Sequence, residues 1–329
     1  MKPVIGIPRG MFFYKYYPLW KGFFDSLNVE TMVSNKTNKQ IMHNGINNCV
    51  DEACLPVKIF MGHVLDIKDS VDALFIPRYT SVSKKEYICP KFGGLPDMVR
   101  SSLKNLPPII DTEINMRKDK DNSAVAAIKI GQLLGFDFYK STKAYENAVH
   151  EYRKFRDNVQ QQCKLPHRLI NKEKVVNFNE KKLKILLLGH VYNVCDSYAN
   201  MNIVNKLESL NCEVVSLEMY DSRVLRNNVL QLHKQFFWQY GSYTIGCIYE
   251  VLKNNKIDGI IYLSSFGCGI DSFVAYMAER RVRDLSNIPY TTIILDEHSG
   301  EAGLNTRLDA FIDTLLWRCN NEVNISTHG

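Results

Sequence analysis

Short apolar runs alternate with longer amphipathic segments along most of the chain. Apolar runs of about four to eight residues bounded by turn residues are typical of buried strands, and apolar residues repeating every three or four positions are typical of helices. The pattern predicts strands over 3–8, 29–34, 71–78, 107–113, 183–190, 212–218, 257–265 and 290–297. It predicts helices over 17–28, 38–48, 55–66, 95–105, 122–135, 198–211, 271–285 and 305–317. Strands that alternate with helices in this way indicate an α/β fold with parallel sheets.

The predicted elements form two groups of similar architecture, and 329 residues are more than one hydrophobic core usually serves. We therefore expect an N-terminal α/β domain over 1–140 and a C-terminal α/β domain over 183–329. Residues 141–182 between them are polar and helical in pattern, without a strand partner. The sequence predicts that this part is a helical connecting segment and that a cleft lies between the two domains.

The composition narrows the class of protein. Apolar residues make up 45% of the chain and charged residues 23%, which is ordinary for a globular protein. The net charge of +6 is mild for this length, so nucleic acid is not an expected partner. No stretch approaches the roughly 18 apolar residues of a membrane span, and the first residues lack the apolar core of a signal peptide. We expect a cytoplasmic protein without a membrane partner.

The nine cysteines are an odd number in a chain expected in the cytoplasm, so metal binding, catalysis or burial explains them better than disulfides. In open parallel sheets, ligands bind beyond the carboxyl ends of strands, and Cys268 follows such a predicted strand. Gly267 and Gly269 on either side would let the backbone approach a bulky ligand. We expect Asp271 or Ser272 to cap the helix that follows.

Two further cysteines lie beside prolines. Cys54 stands two residues before Pro56, and Cys89 directly precedes Pro90, so both thiols are expected in stiff loops. Iron–sulfur clusters need thiolates presented from such turns. The chain contains no pair of cysteines separated by two residues, however, so the spacing alone leaves buried, unliganded thiols as the alternative.

Other polar residues also follow predicted strands. The acidic stretch "DEHSGEAG" (296–303) offers groups for acid–base work or a second metal, or for capping the next helix. His63 and His190 both follow glycines, and His190, just after a strand, has the better claim of the two to face the cleft, with a structural role as the commoner alternative. Arg9 and Arg78 have the chemistry to hold an anion or to pair with a neighbouring carboxylate. The aromatic residues over 12–20 are expected to pack in the core rather than to stack on a planar cofactor.

Several long motifs together carry a family resemblance. They are "GIPRGMFFYKYYPLWKGFF", "DEACLPVKIFMGHV", "FIPRYTSVSKKEYICPKFGGLPDMVR", "SSFGCGIDS" and "DEHSGEAGLNTRLDAFID". In this order, over residues 3–317, they resemble the bacterial domain of unknown function found in acyl-CoA dehydratase activase-related proteins. That domain is similar in turn to the 2-hydroxyacyl-CoA dehydratase D-component and double-cubane cluster protein family.

The resemblance implies a fold, a cofactor and a partner. Two Rossmann-like domains would hold a [4Fe-4S] cluster, or a double-cubane cluster, in the cleft between them. By motif, the implied ligands are Cys54, Cys89 and Cys268. A separate ATP-dependent actin-like activase would deliver electrons to the cluster. The chain has no phosphate-binding loop of the G-x-x-x-x-G-K-[ST] or G-x-G-x-x-G type, so we do not expect it to hydrolyse ATP itself.

The role of the cluster stays open at this level. The leading hypothesis is a dehydratase-like or reductase enzyme that performs a reductive or radical reaction on an acyl-CoA or another small molecule. The alternatives are a non-catalytic partner that carries the cluster, and a scaffold stabilised by zinc, for which three thiolates and a histidine would suffice. Two further points stay open. One is which group binds a cluster iron that has no cysteine ligand, and the other is whether two chains form a homodimer.

Overall fold

The computed structural model describes residues 3–117, 122–173, 183–230, 236–254 and 257–326, with the side chains described as far as residue 318. The strands in these ranges are β1 (Val4–Ile7), β2 (Glu30–Val33), β3 (Ala73–Phe75), β4 (Arg78–Ser81), β5 (Ile109–Ile110), β6 (Glu113–Asn115), β7 (Leu183–Gly189), β8 (Cys212–Ser216), β9 (Gly259–Ser265) and β10 (Tyr290–Leu295). The helices are α1 (Phe13–Ser26), α2 (Lys39–Asn47), α3 (Leu55–Ile67), α4 (Pro90–Ser102), α5 (Asn122–Leu133), α6 (Phe138–Gln161), α7 (Pro166–Ile170), α8 (Val191–Cys195), α9 (Ile203–Ser209), α10 (Ser222–Val229), α11 (Gln239–Asn254), α12 (Gly269–Leu285) and α13 (Glu301–Ser326), with a 3-10 helix over Leu217–Met219.

Two parallel sheets of four strands have the same strand order. In the N-terminal half the order is β2-β1-β3-β5, and in the C-terminal half it is β8-β7-β9-β10. The described pairings within both sheets are parallel. Strands β4 and β6 form a separate parallel pair. The predicted α/β class with Rossmann-like parallel sheets is therefore confirmed.

Each half has its own hydrophobic core, because its central strands are apolar on both faces. All residues of β9 are buried, as expected for a strand covered by helices on both sides. Helix α8 follows β7 in the C-terminal sheet, yet its Tyr192 and Cys195 pack into the core of the N-terminal half. The two halves therefore meet over a packed surface, and this surface includes residues just past the ends of strands.

Helix α6 packs along α1 of the N-terminal half, where Ala144 and Ala148 are buried. Gly22 of α1 allows this close approach, since a Cβ built there would lie 3.4 Å from the Cα of Ala148. The predicted connecting segment thus begins with a helix that is part of the N-terminal packing. Its last residues, 174–182, lie outside the described residues.

The pattern did not predict helices α10 and α11. Glycines weaken the helical pattern of α11, but Gly246 is needed there because a Cβ would come within 2.1 Å of the carbonyl oxygen of Leu225 in α10. The two helices cross at this point with their backbones in contact. No helix in the described part of the chain is long and apolar enough to cross a membrane.

Candidate metal centre

Three cysteines occupy the same position in three different helices. Cys54 is the N-cap residue of α3, Cys89 of α4 and Cys268 of α12. Proline in the first turn of α3 and of α4 fixes the backbone where the chain enters the helix. In none of the three does the N-cap side chain form a capping hydrogen bond, which leaves the thiols available for another partner.

All three cysteines line one small cavity of about 40 Å³. Its lining also includes Met11, Phe12, Ile88, Lys91, Phe92, His190, Tyr192, Trp238, Gln239, Tyr240 and Ile270. Residues from both halves of the chain therefore form its wall. The cavity lies beyond the carboxyl ends of β7 and β9, where the general rule for parallel sheets puts ligand sites.

Gly267 brings the loop of Cys268 against the loop of Cys54. Its φ of +76° is a left-handed conformation that favours glycine, and a Cβ built there would lie 3.3 Å from the Cα of Cys54. The sequence predicted that this glycine lets the backbone approach a bulky ligand, and the close neighbour found in the structure is protein backbone instead. Two cysteines separated by more than two hundred residues in the chain thereby come to one cavity.

His190 faces the same cavity, as its position after a strand predicts. Its imidazole ring is stacked between Tyr240, at a centroid distance of 3.6 Å, and Tyr192, at 4.9 Å. Burial lowers the pKa of His190 to about 3, so the ring is neutral at physiological pH. A neutral imidazole is the form that binds metal ions.

Asp271 lies beneath the cavity and is completely buried. The prediction that it caps the helix is wrong, because Cys268 holds the N-cap position and the Asp271 carboxylate is buried beneath it. The hydroxyl of Tyr262 donates to Oδ1 at 2.5 Å, while Oδ2 has no hydrogen-bond partner among the described residues. Burial raises the pKa of this carboxyl to about 6.

The distances between these groups separate two kinds of metal site. The ligand atoms of His190, Cys268 and Asp271 all lie within 4.8 Å of one another, and the three cysteine sulfurs do not form such a group among the described residues. Two sulfurs on one zinc ion lie at most about 4.6 Å apart, since each Zn–S bond is about 2.3 Å. The three thiols therefore do not form a single-ion site together, whereas the histidine group does.

Electrostatics at the cavity keeps the thiols of Cys268 and Cys89 neutral as long as no metal is bound. Burial raises the pKa of Cys268 to about 12 and also raises the pKa of Cys89, so without metal these sulfurs keep their protons. Metal binding removes such protons, because the ion stabilises the thiolate far more than burial disfavours it. Three helix N-termini then add partial positive charge beside the resulting anionic centre.

Several other predicted residues have structural partners. Arg78 forms ion pairs with Asp97 and Asp111, which is the carboxylate pairing that the sequence offered as one reading. In the acidic stretch, Glu297 pairs with the buried Lys58 of α3. Arg78, Lys58 and Glu297 thus form ion pairs within the protein, and none of the three lines the cysteine cavity.

The aromatic residues near the N-terminus pack as predicted. Phe13, Tyr14 and Trp20 are buried in the core of the N-terminal half. Phe12 stacks on Phe92 at a centroid distance of 4.0 Å and forms part of the cavity wall. The stacked rings therefore fix the start of α1 against α4 at the cavity wall.

The sequence analysis did not single out three aromatic residues of the cavity. Tyr192 lies in α8 two residues after His190, Trp238 directly precedes α11, and Tyr240 lies in the first turn of α11. A tyrosine next to a candidate histidine is a weak signal, and the residues of α11 gave none because that helix was not predicted. Their place at the cavity depends on how the two halves pack.

The fold and this cavity define an α/β protein with a cysteine-lined site between two parallel-sheet halves. A family model described as the CoA enzyme activase uncharacterised domain matches residues 4–220, which is more than half of the chain. The chain belongs to this family. The match includes Cys54 and Cys89 and ends before Cys268. A search of curated proteins found no match.

Proposed function

We propose that this protein binds an iron–sulfur cluster through Cys54, Cys89 and Cys268. The observation that carries the proposal is that the three cysteines are helix N-cap residues and line one cavity. Thiolates from stiff turns, with backbone N–H groups of helix ends close by, are the environment in which such clusters are held. The cluster is of the [4Fe-4S] or double-cubane type.

The cluster receives electrons from a separate ATP-dependent actin-like activase. This part of the proposal rests on membership of a family whose description names CoA enzyme activases. The activity that follows is a reductive or radical reaction of the dehydratase type on an acyl-CoA or another small molecule, in the cytoplasm. A non-catalytic cluster carrier is the alternative role. We further propose that residues 1–140 and 183–329 act as two domains that enclose the cluster and are joined by 141–182.

A single zinc ion is the second candidate. The observation that favours it is the group of His190, Cys268 and Asp271, whose ligand atoms lie within 4.8 Å of one another. Three such ligands can hold zinc and leave a position open. This site would make no use of Cys54 or Cys89, so the two candidates predict different effects of the same substitutions.

Anaerobic purification with iron, sulfide and zinc analysis separates the candidates. We expect a brown protein with iron and sulfide, and loss of most of the iron in Cys54→Ala, Cys89→Ala and Cys268→Ala. Cys195→Ala, at a buried cysteine outside the cavity, and Cys163→Ala, at an exposed cysteine, should retain full iron content. A colourless protein with one zinc, lost in Cys268→Ala but kept in Cys54→Ala, would instead support the zinc site.

Electron delivery is tested with the cluster-loaded protein. A purified actin-like activase with ATP and a low-potential reductant should bleach the visible absorption of the cluster, and the same mixture with ADP should not. Bleaching at equal rates with both nucleotides would contradict the proposed partner.

A further inference from the structure

The wall of the cysteine cavity carries four side chains of the kinds that ligate iron in clusters. Three are the thiols of Cys54, Cys89 and Cys268, and the fourth is the imidazole of His190. The other polar side chains of the described lining are phenols, an amide, an indole and the ammonium group of Lys91. Imidazole replaces thiolate on some iron–sulfur centres, whereas an ammonium group offers no lone pair.

His190 is held in one orientation at this wall. Tyr192 and Tyr240 cover the two faces of its ring at centroid distances of 4.9 and 3.6 Å. Only the edge of the ring, which carries the nitrogens, is left to form directional contacts. A ring nitrogen of His190 lies within 4.8 Å of the sulfur of Cys268, so the imidazole and this thiol reach the same centre.

The ring nitrogens of His190 have no hydrogen-bond partner among the described residues. The nearest charged group is the carboxylate of Asp271, with 3.9 Å between Nε2 and Oδ1, which is too long for a hydrogen bond. The buried His63 shows the usual alternative, since Ser34 and Thr37 contact its two ring nitrogens at 3.0 Å each. The His190 side chain is 12% exposed, so its ring edge stays open at the cavity, where a ligand can reach it.

We infer that His190 supplies the non-cysteine ligand of the metal cluster, completing a set of three thiolates and one imidazole. The inference rests on the proposed function and names the group that binds the iron for which the three cysteines provide no ligand. The ring is held in orientation by the two tyrosines that cover its faces, since the Asp271 carboxylate at 3.9 Å is beyond hydrogen-bond distance.

Nitrogen ligation has a direct spectroscopic signature. The full-length protein is purified anaerobically, reduced, and studied by pulsed electron paramagnetic resonance with natural-abundance and ¹⁵N-histidine labelling. We expect a strongly coupled nitrogen in the wild type whose signal changes with the label and is absent from His190→Ala. In His190→Cys the cluster should be retained with four thiolates, the nitrogen signal lost, and the reduction potential lowered, because a thiolate carries a charge that imidazole lacks.

His43→Ala is the matched control, because this histidine is exposed in α2 and its ring forms a hydrogen bond with Asn47, away from the cavity. It should keep the nitrogen signal and the potential of the wild type. A wild-type cluster without nitrogen coupling, or a coupling that persists in His190→Cys, overturns this inference and leaves the cluster assignment intact. A wild type without iron and sulfide overturns the cluster assignment and this inference together.

Discussion

Gly267 packs directly on the backbone of Cys54, and this contact joins the two halves of the molecule at the cysteine cavity. A Cβ built on Gly267 would lie 3.3 Å from the Cα of Cys54 and 3.6 Å from its backbone nitrogen. The next residue in the chain is Cys268. The separation of two of the three thiols is therefore set by a backbone-to-backbone contact, which leaves little room for adjustment.

Gly267→Ala is expected to destabilise the protein by about 1–2 kcal/mol, because an L-residue is strained at φ +76° and its Cβ presses on Cys54. Iron content should fall with it, as the loops of the two cysteines move apart. Gly269→Ala is the control, since φ is not positive there and no atom lies within 4 Å of the added Cβ. Urea unfolding and iron analysis check both, and equal effects of the two substitutions would contradict the role given to the contact.

The ion pair of Lys58 and Glu297 is expected to matter because both side chains are largely buried, at 4% and 13% exposure. Lys58→Met should cost about 3 kcal/mol, since it leaves a carboxylate without its partner in a poorly solvated place. Adding Glu297→Leu should recover much of that loss. Lys36→Met removes an exposed pair with Glu173 and should cost less than about 1 kcal/mol. Chemical denaturation of the wild type and the three variants measures these differences in stability. Similar losses in Lys58→Met and Lys36→Met would contradict the larger cost expected for the buried pair.

His63 is expected to make the protein sensitive to acid. Burial, with the charge of Arg9 as a smaller cause, lowers its pKa from 6.5 to about 3. Below pH 6.5 this histidine binds a proton in the unfolded chain but not in the folded protein. The free energy of unfolding therefore decreases as the pH falls, by about 2 kcal/mol at pH 5. His63→Asn should be less stable at pH 7 but should lose less between pH 7 and 5. His43→Asn, at an exposed histidine, should follow the wild-type curve, and unfolding at several pH values tests this.

Asp271 is expected to act in the opposite direction in the protein stripped of metal. Its folded pKa of about 6 lies above the ordinary 3.8, so its contribution to stability is present below pH 3.8 and is lost as the pH rises through 6. The shift of the Asp271 pKa from 3.8 to about 6 corresponds to a loss of about 3 kcal/mol in the free energy of unfolding between acidic and neutral pH. Asp271→Asn should therefore gain stability relative to the wild type between pH 4 and pH 7. Asp309→Asn, at an exposed acid in α13, should show no such gain. If the stability of Asp271→Asn and of the wild type changed with pH in the same way, the raised pKa of this buried carboxyl would be contradicted.

The strands and most helices could be predicted because they depend on local apolar patterns. The run that ends at Ser265 and the glycines around Cys268 were enough to put that thiol past the end of a strand. Helix α11 was missed because the glycine that weakens its pattern, Gly246, is required by a contact with Leu225 in another helix. Such a residue looks like a helix breaker until its neighbour is known.

The sequence by itself determined the α/β class and the parallel sheets, and it put Cys54 and Cys268 close to predicted helix starts, because apolar periodicity, glycines and prolines act on the backbone locally. Cys89 was expected in a loop with its helix beginning at 95, whereas that helix begins at Pro90. Only the tertiary structure decided that these thiols line one cavity, that Asp271 is buried rather than capping, and that His190 stands with its ring edge unpaired between two tyrosines. Those facts depend on how the two halves pack on each other, and packing between distant segments leaves no periodic signal in the chain.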